Sequence, residues 1–258
     1  MYNFLRNLLS DKKSDVVFNC FGIWHILFIV LTFIVVVFFI VYLKNKTKEQ
    51  QIKVIKIFIN LAFILYMLDF FLMPFAYGQI DLEKLPFHIC TVTCILCFMT
   101  RHNKYLAKYK KELAVLGLVG NIIYVFYPAG VGWYQIAPYS YRVIQTLVYH
   151  GVMSCYGILA LRYEFELEFK KSYKELIIIL WLVVWALLGN TLYNSDAKVF
   201  NWFFVVADPF NILPKDIAQM IMPFVMVFVI YFGVCLVYLM YYLIRKINHY
   251  FNFIKVNP

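Results

Sequence analysis

The chain has 258 residues, of which 64% are hydrophobic and only 15% charged, with 26 phenylalanines and 21 tyrosines. A soluble domain of this length needs far more polar surface to stay in solution, so the composition excludes an ordinary globular fold and points to walls that face lipid. The net charge of +10 gathers in short loops between apolar runs, the pattern of positive-inside topology and anionic headgroups rather than of a nucleic-acid face.

Runs long enough to cross about 30 Å of hydrocarbon at about 1.5 Å per residue occur at seven places, about 18–43, 52–74, 85–100, 111–126, 141–161, 175–193 and 217–244. They predict an all-α, seven-transmembrane-helix bundle, a single membrane domain over residues 1–258. The first run is about 26 residues long and no small-residue cleavage site follows it, so it reads as a span and not as a signal peptide. The loop after it, "KNKTKEQQIKVIK", reads as a solvated face touching headgroups. The second run carries Asp69 shortly before Pro74, an acid placed to orient a histidine, bind a cation or reach water.

The third run opens with "EKLPFHICTVTCILC", whose Cys90, Cys94 and Cys97 are spaced like the cluster ligands of radical enzymes. Inside a continuous apolar helix those positions share one face but are strung over roughly 10 Å of axis, so they cannot close on one cluster. No metal site is expected, and Cys94 and Cys97, like Cys20, Cys155 and Cys235, read as small core hydrophobes. Cys90 differs because it lies roughly 7 Å from the helix start at "LP", where Pro86 costs no helix hydrogen bond and fixes the first turn. His88, two residues away, points to the other side of the helix, which suits another helix or a headgroup better than a base for Cys90.

In the fourth run Glu112 suits the positive end of the helix dipole, and Asn121 reads as helix-to-helix glue. Both this run and the third are short for a crossing, which tilt, extension into their flanks or packing against neighbours rather than lipid would each accommodate. The fifth begins at Arg142, a phosphate contact or an interfacial anchor, with His150 roughly 12 Å deeper in "YRVIQTLVYHGVMS". An intramembrane histidine is costly; it is either satisfied by an interhelical hydrogen bond or functional. Asn190, near the end of the sixth run, is again a candidate for glue. The loops at about 127–140 and 194–216 carry Trp133, Trp202 and four prolines, which suits an interfacial belt.

Lys and Arg in the first, third and fifth loops and the C-terminal tail number five, five, four and three, against three, one, one and two in the N-terminal tail and the other loops. That bias puts the N-terminus outside and the C-terminus in the cytoplasm. The third and fifth spans then enter from the same outer side, which brings Cys90 and His150 to neighbouring depths. A thiol with a free pKa of about 8.5 needs a nearby base or cation to act as a nucleophile, and His150 is the better base.

"LPFHIC", "KELAVLGLVGNIIYVFYP" with Glu112, Gly117 and Gly120, "YRVIQTLVYHG", and the region of Asn190 and Tyr193 resemble the YwaF-like bacterial integral membrane family. That family is similar to eukaryotic transmembrane protein 164. The resemblance covers about residues 50–240 and implies a multi-pass protein of the bacterial plasma membrane. It also implies an acyltransferase that moves a fatty acyl chain onto lysophospholipids with a cysteine and a histidine, the nucleophile falling on Cys90 and the base on His150.

The expectation is a cofactor-free lipid acyltransferase working through a Cys90 thioester on phospholipid or lysophospholipid. His88 and Arg142 hold a phosphate, Asn190 or backbone amides steady the oxyanion, and Asp69 belongs to the same polar site. The competing expectation is a transporter, channel or sensor using His150 and Asp69. It suffers from the lack of charged residues along any path to the inner side and of an inverted repeat with broken spans.

Overall fold

A computed structural model describes residues 2–195, 199–209 and 212–256, and among them it contains helices and connecting segments but no strand. The chain divides into two compact units, Met1–Phe165 and Glu166–Pro258. The first unit holds α1 (Tyr2–Leu9), α2 (Ile23–Leu43), α3 (Lys48–Tyr77), α4 (Ile89–Met99), α5 (Lys110–Phe126), the single turn α6 (Ala129–Gly132) and α7 (Tyr141–Tyr163). The second holds α8 (Tyr173–Tyr193) and α9 (Lys215–Val256).

Among the described residues six stretches are long and apolar enough to cross a membrane: Ile23–Leu43, Lys48–Phe75, Ala107–Gly132, Tyr141–Tyr163, Phe169–Tyr193 and Lys215–Ile247. Six of the seven expected spans thus have a full-length counterpart. The third does not: its helix runs only Ile89–Met99, which at about 1.5 Å per residue covers roughly half of a hydrocarbon core. The reason is local. Leu85 is extended (ψ 150°), as a residue before proline tends to be, and helical geometry begins only after His88, at φ −82° and ψ 147°.

Helix boundaries elsewhere follow from caps. Thr47 and Gln50 form a reciprocal capping box at the start of α3, and Gly78 ends that helix at φ 72°, a left-handed conformation that favours glycine. At the far end of α5 the carbonyl of Val125, one of the last-turn acceptors, is met by His25 Nε2 at 2.8 Å. His25 is fully buried, and its Nδ1 accepts the Phe21 N–H at 2.9 Å. A carbonyl only accepts, so the proton sits on Nε2, and this histidine joins the entry of α2 to the exit of α5.

α7 is the centre of the first unit. Of the most apolar eighteen residues of each helix, 78% are buried in α7 and 59% in the α5 stretch, but only 11% in α2; the apolar surface of α2 therefore faces outward, as a lipid-facing wall does. α7 packs against α5, α3 and α2, and glycines set how closely. A Cβ at Gly157 would stand 2.6 Å from Leu118 Cβ, and one at Gly151 3.1 Å from the Phe28 ring. Gly157→Val is expected to force α5 and α7 apart and cost about 1–3 kcal/mol by overpacking. A fall in the thermal midpoint of the purified protein checks this; an unchanged midpoint contradicts the close seam.

Candidate functional site

α4 enters the first unit beside α3, α5 and α7. Its backbone starts cleanly: the Val92 N–H donates to the His88 carbonyl at 3.0 Å, and the Thr91 hydroxyl donates to the same carbonyl at 3.0 Å. Cys90 is therefore in the first turn of α4, where amide N–H groups precede the first intrahelical bond and favour negative charge. His88 serves as the backbone N-cap of this helix. Cys90 is half-buried, whereas Cys94 and Cys97 have no exposed surface. Cys97 Sγ lies 3.7 Å from the place a Cβ would occupy at Gly117, so it fills the α4–α5 contact. All six cysteines are free thiols, and no group of three metal-ligating side chains occurs among the described residues.

Tyr149 joins Cys90 to His150. Its hydroxyl donates to the Cys90 carbonyl at 2.9 Å, and its ring stands edge-on to the adjacent imidazole, 4.9 Å between centroids. On its other side His150 stacks almost parallel on Tyr124, at 3.9 Å and 13°. His150 Nδ1 lies 2.7 Å from the Thr146 carbonyl; because that carbonyl only accepts, Nδ1 carries the proton. Nε2 is buried and has no hydrogen-bond partner. The imidazole is thus held in orientation and tautomer with a bare lone pair, the form a general base requires. Cys90 Sγ does not hydrogen-bond to that nitrogen in this structure.

The other polar candidates are already engaged. Asp69 is buried and pairs with Lys84 Nζ at 2.7 Å, while Tyr66, one turn earlier on α3, donates to the Lys84 carbonyl at 2.9 Å. Together they strap the segment before α4 onto α3. Arg142 Nε is 3.2 Å from Asp11 and its Nη1 3.5 Å from Asp81. Its guanidinium lies over the rings of Tyr77 and Tyr134, 5.1 and 4.4 Å from their centroids. Asp81 also caps the turn Leu82–Lys84 through the Glu83 N–H. Arg142 therefore ties the N-terminal segment, the α3–α4 connection and α7 together.

Asn190 lies in the second unit. Its Nδ2 donates to the carbonyls of Ala186 (2.8 Å) and Trp202 (3.1 Å), and its Oδ1 accepts the Trp202 N–H at 3.0 Å. One amide hydrogen is spent on its own helix, and the other, with Oδ1, holds the Trp202–Phe204 turn against α8. Asn121 Nδ2 donates to the Gly117 carbonyl one turn back on its own helix, at 2.7 Å. Glu112 is buried at the start of α5.

Tyr124, Thr146, Tyr149, Lys84 and the two aspartates on Arg142 carry no sequence signal of a site. A tyrosine in an aromatic-rich span looks like any other, and only packing shows which rings flank a histidine. N-ethylmaleimide added to the native protein is expected to modify Cys90 in preference to Cys94 and Cys97. Peptide mass spectrometry reads the pattern; equal modification of the three would contradict their burial.

The sequence model of the TMEM164 family matches residues 20–244 of the chain. No curated protein and no solved structure matches it.

Proposed function

This chain belongs to the TMEM164 family, and on that footing we propose that it is a membrane-embedded lipid acyltransferase with Cys90 as nucleophile and His150 as base. The observation that carries the reading is the buried, unpartnered Nε2 of His150, on a residue joined through Tyr149 to the backbone of Cys90. A neutral imidazole with Nδ1–H fixed and Nε2 open is the standing requirement of a thiol–imidazole pair. The pair acts once the thiol comes within hydrogen-bond reach of that nitrogen, and such catalytic contacts tighten when substrate binds.

In the first half-reaction His150 Nε2 takes the Cys90 proton while sulfur attacks the ester carbonyl carbon of a phospholipid. The first-turn amides of α4 face the negative charge that develops on the carbonyl oxygen. When the intermediate collapses, the ester C–O bond breaks, His150 returns the proton to the departing lysolipid oxygen, and a Cys90 thioester remains. A second lysolipid hydroxyl then accepts the acyl group. Arg142 and His88 contribute to headgroup recognition, with Arg142 exchanging a carboxylate partner for phosphate. Asp69 acts by holding Lys84 at the same end of the site. Asn190 supports the second unit.

We place α4 as a seventh, half-length membrane segment covered by α3, α5 and α7, with the N-terminus outside, the C-terminus cytoplasmic, and the protein in a bacterial plasma membrane. The Lys and Arg bias supports that orientation. A transporter or sensor built on His150 and Asp69 is less well supported, because the Asp69 carboxylate is already neutralised by Lys84. Cys90→Ser and His150→Ala are each expected to lower acyl exchange between phospholipid and lysophospholipid in proteoliposomes by about 100-fold or more. Full exchange by either variant would sink the mechanism.

A further inference from the structure

Two helical stripes meet along the α5–α7 seam. On α5, Gly117, Asn121 and Tyr124 follow one another at four and three residues and share a face. Both ends of that stripe touch α7: a Cβ at Gly117 would stand 3.4 Å from Met153 Cε, and Tyr124 stacks on His150. On α7, His150, Ser154 and Gly157 have the same spacing, with Gly157 against Leu118. Asn121 is thus enclosed between contacts at Met153 and His150, and Ser154 between His150 and Gly157.

Three atoms of this layer are buried without a hydrogen-bond partner: His150 Nε2, Asn121 Oδ1 and Ser154 Oγ. Their roles are fixed by what their neighbouring atoms do. Asn121 Nδ2 must be the nitrogen because it donates to the Gly117 carbonyl, so Oδ1 is an acceptor. His150 Nε2 is an acceptor because Nδ1 holds the proton. Ser154 alone can donate or accept, and its hydroxyl does not fall back on its own helix as buried serines commonly do. An orphaned buried polar atom costs about 1–3 kcal/mol; His150 Nε2 and Asn121 Oδ1 both lack a donor, and the single Ser154 O–H can serve at most one of them. An O–H group satisfies such a layer, whereas a phosphate or carboxylate, which only accepts, is rejected by it.

We propose that Asn121 and Ser154, with His150 Nε2, form the subsite for the hydroxyl that relieves the Cys90 thioester. This rests on the acyltransfer reading above. The hydroxyl donates to His150 Nε2 and its oxygen accepts from the Ser154 O–H, while Asn121 Oδ1 accepts a second O–H of the ligand, as water or a second glycerol hydroxyl supplies. Its oxygen attacks the thioester carbonyl carbon and its proton passes to His150. The carbon–sulfur bond breaks, and His150 returns the proton to the Cys90 thiolate, leaving a free thiol and a new ester or acid. The O–H donor is either the glycerol hydroxyl of a lysolipid or water, and the product tells which.

The test separates the two halves of the reaction. The full-length protein in nanodiscs is loaded with a radiolabelled acyl chain from phospholipid. The Cys90 thioester is then followed by intact-mass spectrometry during a chase with lysophospholipid in ¹⁸O-water. Ser154→Ala and the near-isosteric Asn121→Leu are each expected to slow thioester decay about tenfold more than its formation, and Ser154→Thr, which keeps a hydroxyl, to recover most of that loss. Labelled ester as product identifies the lysolipid hydroxyl, and ¹⁸O-labelled fatty acid identifies water. If the thioester forms and decays at the unsubstituted rate in both variants, the subsite is wrong and the layer holds structural water only. If no acyl group forms on Cys90 in the unsubstituted protein, the acyltransfer reading itself fails and takes the subsite with it.

Discussion

The polar face of α7 is the constraint that organises the first unit. Arg142, Gln145, Thr146, His150 and Ser154 are all buried on that one helix, and each would cost several kcal/mol if turned to hydrocarbon without a partner. The helix therefore has to be sheathed, and α2, α3 and α5 supply the sheath. Glycines at 117, 151 and 157 let that sheath approach, as small residues do where helices pack without a hydrophobic driving force between them. The less buried α2 then presents its outer wall to lipid.

The same helix is pinned at both ends. At its start Arg142 pairs with Asp11 and Asp81. At its finish Glu164 takes a bidentate pair from Arg101, at 2.7 Å to each oxygen. The twenty-three residues of α7 span about 35 Å, close to the thickness of a hydrocarbon core. Sliding α7 by one turn would draw one of those ion pairs into apolar surroundings, so the depth of His150 is set by charges roughly 12 Å or more away from it.

How much of this could be read from the chain depended on range. The apolar runs located six long helices, because a run of that length and composition has few alternatives; their ends agree within about five residues except at the last, where α9 continues to Val256 past the expected end near 244. α4 was overestimated because hydropathy counts Leu85, Pro86 and Phe87 as span, while backbone geometry keeps them out of the helix. Pairings across long sequence separation were not legible at all. Arg142 meets Asp11 from 131 residues away, and a headgroup-ready arginine and a structural clamp have the same sequence signature. The partner of Asp69 is only fifteen residues on, yet nothing in "GQIDLEKLPF" distinguishes Lys84 from a solvated loop lysine.

The two buried histidines of the first unit show where the sequence signal ends and geometry takes over. Both lie in apolar spans, and the cost of burying an imidazole applies to each. His25 uses both nitrogens, one donating to Val125 and one accepting from Phe21, so its hydrogen-bonding capacity is exhausted in joining two helices. His150 uses only Nδ1, and the ring is clamped by Tyr124 and Tyr149 so that Nε2 cannot turn to find a partner of its own. Swapping the ring would not help, because Thr146 offers only an acceptor. A structural histidine ends with its valences filled; this one is held open at the level of Asn121 and Ser154, beside the helix whose first turn carries a half-buried thiol.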